Sequence, residues 1–161
     1  MKKSYREQDL SRQDFSNQDL SFTDFTGANL RKANLRWAKL MGSNFSEAIL
    51  WKANLKGADL RWVFLKEANL WEANLEGADL RWAFLKDANL TKAYLSEANL
   101  EGANLKGADL EGANLWETKL ESANLEGANL SGAFLKGATY DDKTTLPISE
   151  SEAQQRGMVK K

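Results

Sequence analysis

The sequence predicts an all-β solenoid in which the chain turns once every five residues and closes a square coil every twenty. Three observations carry this. Leu or an aromatic residue recurs at every fifth position from Leu10 to Tyr140 without interruption, and Ala stands two residues before most of them. Ten of the eleven glycines, from Gly27 to Gly137, fall two residues after one of these central positions. Arg61-Trp62-Val63-Phe64-Leu65 returns as Arg81-Trp82-Ala83-Phe84-Leu85, and Trp51 returns as Trp71 at the same interval. An unbroken internal repeat of this kind is read before any helix or strand signal.

The period of five suits neither regular element. On an α-helix the leucines would advance by about 140° per repeat and leave no apolar stripe. On a continuous strand an odd period would send successive leucines to opposite faces. A turn in each pentapeptide removes both difficulties: the central residue and the Ala two before it point inward, and the other three positions point out. The glycines then occupy the turn position that needs a positive φ, as in a type II turn. The twenty-residue superperiod gives four pentapeptides per coil and a square cross-section. At an interstrand spacing of about 4.8 Å, just under seven coils make a rod on the order of 30 Å long.

These residues resemble the pentapeptide repeat family, whose motif is a small residue, Asn or Asp, Leu or Phe, then two polar residues. The likeness covers positions 8 to 140. It implies a right-handed quadrilateral β-helix with the central residue and the preceding Ala inside, and the handedness comes from the resemblance alone. Gln8, Gln13, Gln18 and Thr23 replace Ala in the first coil, which predicts a wetter, capped N-terminal end, since polar groups buried without partners are costly.

Beyond Tyr140 the repeat stops. The expected organisation is a β-helix over residues 1–140 and a C-terminal tail over 141–161. Within the tail, Ser149-Glu150-Ser151-Glu152 has capping-box spacing and Gly157 suits a helix end. A short helix from about Glu150 to Arg156, folded over the last coil, would cover its apolar core and unpaired backbone groups. The tail also resembles the C-terminal ends of cyanobacterial members of the family.

Composition narrows the function classes. Net charge is −1, and no basic tract points to nucleic acid. The apolar runs are too short to span a membrane. The basic start Met1-Lys2-Lys3-Ser4-Tyr5-Arg6 has no apolar stretch after it, so no signal peptide is expected and the cytoplasm is the expected location.

With no His and no Cys, the commonest general base, the thiol nucleophile and the soft metal ligands are missing. Asp9, Asp14, Asp19 and Asp24 belong to four different faces and point apart. Asp59 and Asp79 stack on one face with Arg61 and Arg81 beside them, which reads as a compensated ladder rather than a metal site, because hard cations want several converging oxygens. No enzyme, metal or cofactor is expected. The Asn residues before the central positions read as hydrogen-bonded ladders that steady the coils.

The aromatic residues are the unusual outward feature, since none of the six Trp falls at a central position. Trp62 and Trp82 stack on one face with Phe64 and Phe84 around the adjacent corner, forming one ledge. Trp51 and Trp71 make a second stack, and Tyr94, Trp116 and Phe134 gather on a further face. Stacking that shields coil-to-coil bonds explains their spacing, with Lys66, Lys86 or the arginines covering them by cation–π contact. A protein partner or self-association surface explains why the rings are there at all.

The expected function is therefore a non-enzymatic interaction or structural module. Two alternatives stand beside it. One is a DNA-mimic regulator of DNA gyrase, as the resemblance allows, although no face departs from neutrality by more than two charges. The other is a carbohydrate binder or enzyme using the Trp platforms.

Overall fold

The computed structural model describes residues 3–161. Met1 and Lys2, part of the basic start, lie outside the described residues. From Ser4 onward the residue before each central position pairs in parallel with the residue twenty further on, as in Asp59↔Asp79 and Phe64↔Phe84. The pairing continues to Thr145 through Asn124↔Thr145, where the register shifts by one as the chain leaves the repeat. Each face of the square is thus a ladder of single bridges. The Leu60 N–H donates to the Asp79 carbonyl at 2.7 Å, and the Asp79 N–H donates to the Ala58 carbonyl at 3.0 Å.

Each corner closes locally, as where the Val63 N–H donates to the Leu60 carbonyl at 3.2 Å. The second corner residue has a positive φ at every repeat from Glu7 to Gly137, whether or not it is glycine. Trp62 and Trp82 hold φ of 58° and 59° there, a conformation that costs an ordinary L residue about 1–2 kcal/mol.

Inside, the Leu and Ala columns are almost wholly removed from water. Two polar residues at the Ala place are satisfied by the previous coil: Ser43 Oγ donates to the Leu20 carbonyl at 2.9 Å, and Thr118 Oγ1 to the Leu95 carbonyl at 2.8 Å. Gln8, Gln13 and Gln18 are exposed while Thr23 is buried. An aromatic plug closes this end, with Tyr5, Phe25 and Phe45 stacked in order and Phe15 edge-on to Tyr5 and Phe25.

At the other end β1 (Thr139–Tyr140) pairs in parallel with β2 (Val159–Lys160). Between them lies α1 (Glu150–Gln155), whose N-cap Ser149 accepts from the Glu152 N–H. Ala153 and Met158 are buried against the last coil, and Arg156 Nη2 donates to the Leu130 and Ala133 carbonyls at 2.8 and 2.9 Å. These carbonyls would otherwise face an open coil end. Among the described residues no helix is long and apolar enough to cross a membrane.

The Asn and Asp side chains differ from the sequence expectation. Most accept locally from the backbone N–H two residues on, as Asn74 Oδ1 does from Glu76 at 2.9 Å and Asp9 Oδ1 from Ser11 at 3.0 Å. Coil-to-coil side-chain bonds occur at Asn29–Asp9, Asn34–Asp14 and Asn129–Asp109. The Asn positions therefore chiefly stabilise their own corner, because a short amide reaches its own backbone more readily than a rung 4.8 Å away.

Candidate functional site

A side chain at the second corner position has a fixed exit direction, because its φ is fixed. There the ring lies across the corner of the following coil. Phe22 lies on Gly42, Trp37 on Gly57 and Trp82 on Gly102, and a Cβ at any of these glycines would strike the ring. Glycine at these three places serves as a landing site as well as a turn residue.

The Trp62–Trp82 rings stack with centroids 5.7 Å apart and planes 14° apart. Phe64 and Phe84 stack at 4.9 Å and 5° on the adjoining face. Among the described residues no ring pair joins a Trp to a Phe, so the ledge expected from the sequence consists of two parallel stacks. All four rings are exposed, as are Phe22 and Trp37. Phe22, Gly42 and Phe64 line a shared depression, which extends the surface toward the N-terminus. Sequence reasoning passed over Phe22 and Trp37. The signal was available, since each precedes by twenty residues a glycine in the same corner column.

Trp51 and Trp71 stack at 5.8 Å but are only partly exposed. Lys32 and Lys52 lie over Trp51 at 5.2 and 4.9 Å, and Lys52 also lies over Trp71 at 5.3 Å. The cation–π partners are thus not those expected. Lys66 pairs with Glu67 at 3.0 Å and Lys86 with Asp87 at 3.8 Å, neighbours on the same corner. The arginines are engaged by carboxylates: Arg61 makes two bonds to Asp59 at 2.8 and 2.7 Å, and Arg81 two to Asp79 at 2.9 and 2.7 Å. The Arg61 hydrogen bonds hold the Asp59 carboxyl below its ordinary range. The hydrogen bonds that Arg81 donates to Asp79 raise the Arg81 guanidinium above its ordinary value.

Tyr94, Trp116 and Phe134 come together along one groove of about 760 Å³, with Lys92 and Lys136 at its rim. The four early aspartates do not converge. Asp9 and Asp14 accept from the Ser11 and Ser16 N–H groups, and these bonds lower both carboxyls. Among the described residues no group of three or more acidic side chains is placed to hold a metal ion.

Sequence reasoning also missed a basic belt. Arg12, Arg31, Lys32, Arg36 and Lys39 follow the first two coils around three faces that also carry Asp9, Asp14 and Asp19, and none forms an ion pair among the described residues.

Models of pentapeptide repeats match this chain in eight copies, over residues 9–46, 42–71, 53–91, 73–112 and 103–139. Among solved structures, the pentapeptide repeat protein Rfr23 of the cyanobacterium Cyanothece 51142 is 40% identical with a TM-score of 0.57. The alignment takes in 57% of this chain and 63% of Rfr23, so the chain spans less than two thirds of that protein. HetL of the cyanobacterium Nostoc sp. strain PCC 7120, a pentapeptide repeat protein involved in heterocyst differentiation regulation, is 34% identical. That alignment takes in 89% of this chain and 76% of HetL, with a TM-score of 0.52. QnrB1, a plasmid-mediated fluoroquinolone resistance protein, is 16% identical over 84% of this chain and 71% of its own, with a TM-score of 0.56. At that identity the likeness concerns the fold alone. No protein of curated function matches the sequence. The matched repeats cover most of the chain, which belongs to the pentapeptide repeat family, and its square solenoid is that family's right-handed β-helix.

Proposed function

We propose that the chain is a non-enzymatic protein-interaction module of the cytoplasm. It is a stiff rod of about seven coils, closed at its C-terminal end by the tail, that offers stacked aromatic side chains to a protein partner or a second copy. The observation that carries this reading is the exposed corner formed by Phe22, Trp62 and Trp82 with Phe64 and Phe84 beside it. At 64 and 84 a ring stands where most repeats carry Asn, so two side-chain-to-backbone bonds are given up. Such bonds contribute about 0.5–1.5 kcal/mol each. One cross-strand pair returns about 0.2–1 kcal/mol. Stacking within the isolated chain does not offset the exchange, whereas covering the rings with a partner does.

The carboxylates support the non-enzymatic part, since those discussed above are engaged by their own backbone, by arginine or by lysine. That no face departs from neutrality by more than two charges weighs against an imitation of the DNA phosphate ladder, which needs a sustained negative field. The test compares partners retained by the full chain with those retained by a Trp62→Ser, Trp82→Ser variant of unchanged circular dichroism. Loss of a retained partner, or of self-association in sedimentation, supports the reading. An identical partner set and an identical mass would overturn it for this corner.

A further inference from the structure

Tyr94, Asn114 and Phe134 are consecutive rungs of one outward column, joined by the pairings Tyr94↔Asn114 and Asn114↔Phe134. Two ring-bearing rungs therefore stand two interstrand steps apart, about 9.6 Å, with an amide between them. On the same molecule Phe64 and Phe84 show the uninterrupted arrangement, with adjacent rungs and ring centroids 4.9 Å apart. A flat ring inserted over Asn114 would lie about one such spacing from each neighbour. Asn114 leaves that space open, because its Oδ1 accepts from the Trp116 N–H at 3.1 Å and the side chain follows its own backbone. Gly112 and Gly132 bare the adjoining corner, where a Cβ on Gly132 would meet only Gly112 backbone, at 3.9 Å. Trp116 stands on the opposite side of the groove.

Charge identifies the rest of the guest. Lys92 and Lys136 sit at diagonally opposite ends of the groove, and neither forms an ion pair among the described residues. Glu97 and Glu117 occupy the corner beyond Trp116 and would repel carboxylates placed there. Two coil steps combined with the width of one face put the lysine roots on the order of 15 Å apart. In an extended peptide, residues two before and two after a given position share its face and span about 13 Å.

We propose that this groove binds an extended acidic segment of a protein partner, with an aromatic side chain inserted as the missing rung between Tyr94 and Phe134. Acidic residues two before and two after that side chain reach Lys92 and Lys136. The inference rests on the reading of the chain as a protein-interaction module and names the partner chemistry for a face other than the Trp62 corner.

The test titrates the full chain, observed by NMR at the Asn114 amide and the Trp116 indole, with a blocked peptide of sequence Gly-Glu-Ser-Phe-Ser-Glu-Gly. Saturable shifts of both resonances are expected. Affinity should fall at least tenfold when the peptide Phe becomes Ala, and severalfold when its Glu residues become Lys. Asn114→Phe, in which the chain supplies its own rung, should abolish binding with an unchanged circular dichroism spectrum. If that variant misfolds, Phe134→Asn, which removes one wall, carries the same expectation.

Absence of shifts at about 1 mM peptide, the weak limit of specific binding, overturns the proposal. So does equal binding of the Ala peptide or of a folded Asn114→Phe chain, and so does displacement of the peptide by cellotetraose at equal concentration. Partner capture that depends on Trp62 and Trp82 alongside a silent groove would sink this proposal while leaving the interaction-module reading standing.

Discussion

Leu20, Leu40, Leu60, Leu80 and Leu100 form one column of the coil; Phe22, Gly42, Trp62, Trp82 and Gly102 form another, two residues later on the same coils. Both repeat every twenty residues and both stack. The leucines are at most 1% exposed, whereas Phe22, Trp62 and Trp82 are 45–53% exposed. The leucines leave water on every side, which is where hydrophobic stabilisation comes from. The corner rings cover one another and a strip of backbone, and keep their outer surfaces wet. A displacement of two residues thus separates the part of the repeat that builds the fold from the part that is left open to solvent.

The sharpest way to break this comparison is to truncate one residue in each column. Leu80→Ala should cost about 2–5 kcal/mol, because neighbours held on both sides by backbone ladders collapse poorly into the cavity. Trp82→Ser should cost no more than about 1.5 kcal/mol, the scale of a lost aromatic stack. Urea denaturation gives both values, and equal losses would dissolve the distinction between the columns.

The landing-site role of Gly102 is tested by a cycle. Gly102→Ala forces a Cβ into the left-handed region and against the Trp82 ring, whereas Gly77→Ala meets nothing within 4 Å and bears only the backbone penalty. Gly102→Ala should therefore be the more damaging, and the excess should vanish in a Trp82→Ser background. The expected coupling is about 0.5–3 kcal/mol, and additive effects would show that the ring does not rest there.

At its C-terminal end the Leu column finishes on Tyr140, whose hydroxyl is buried without a hydrogen-bond partner. Tyr140→Phe should be neutral or stabilising by up to about 1 kcal/mol. A marked loss would mean that the hydroxyl is satisfied.

The corner column ends at Ser122. Its N–H and Oγ both donate to Asp141, at 2.8 and 3.0 Å. With the Ser122 N–H as the largest cause, the Asp141 carboxyl is lowered to about 2. Because the folded value lies below the unfolded one, this contribution is fully present above the ordinary carboxylate range near 4 and is lost as pH falls through about 2. Hydrogen exchange at Ser122 should accelerate over that window relative to the rest of the coil. Asp141→Asn should remove that pH dependence.

Much of the inward column is legible in the sequence because one residue type, at one spacing, does one thing. Leu, Ala and the positive-φ corner follow from the period alone. The outward positions are harder to read because several partners compete for each group at similar energy. Asn29 reaches both its own corner and Asp9, and Asn74 reaches its own corner. Lys52 finds Trp51, Trp71 and Glu72 together, while Lys66 turns to Glu67 beside it. The sequence places Phe22 and Trp37 outside, but the direction in which their rings lean depends on the corner geometry. The groove at Tyr94 and Phe134 is visible as a cluster in the text. That one rung is missing becomes apparent only when Asn114 is seen turned onto its own backbone.

The central claim is that the corner rings serve contact rather than the fold. Sedimentation and thermal melting of the Trp62→Ser, Trp82→Ser variant beside the unaltered chain, with and without the retained partner, test it most directly. The account expects a β-helix with a nearly unchanged melt and a weakened or lost complex. An unfolded variant, or a folded one with undiminished association, would contradict it.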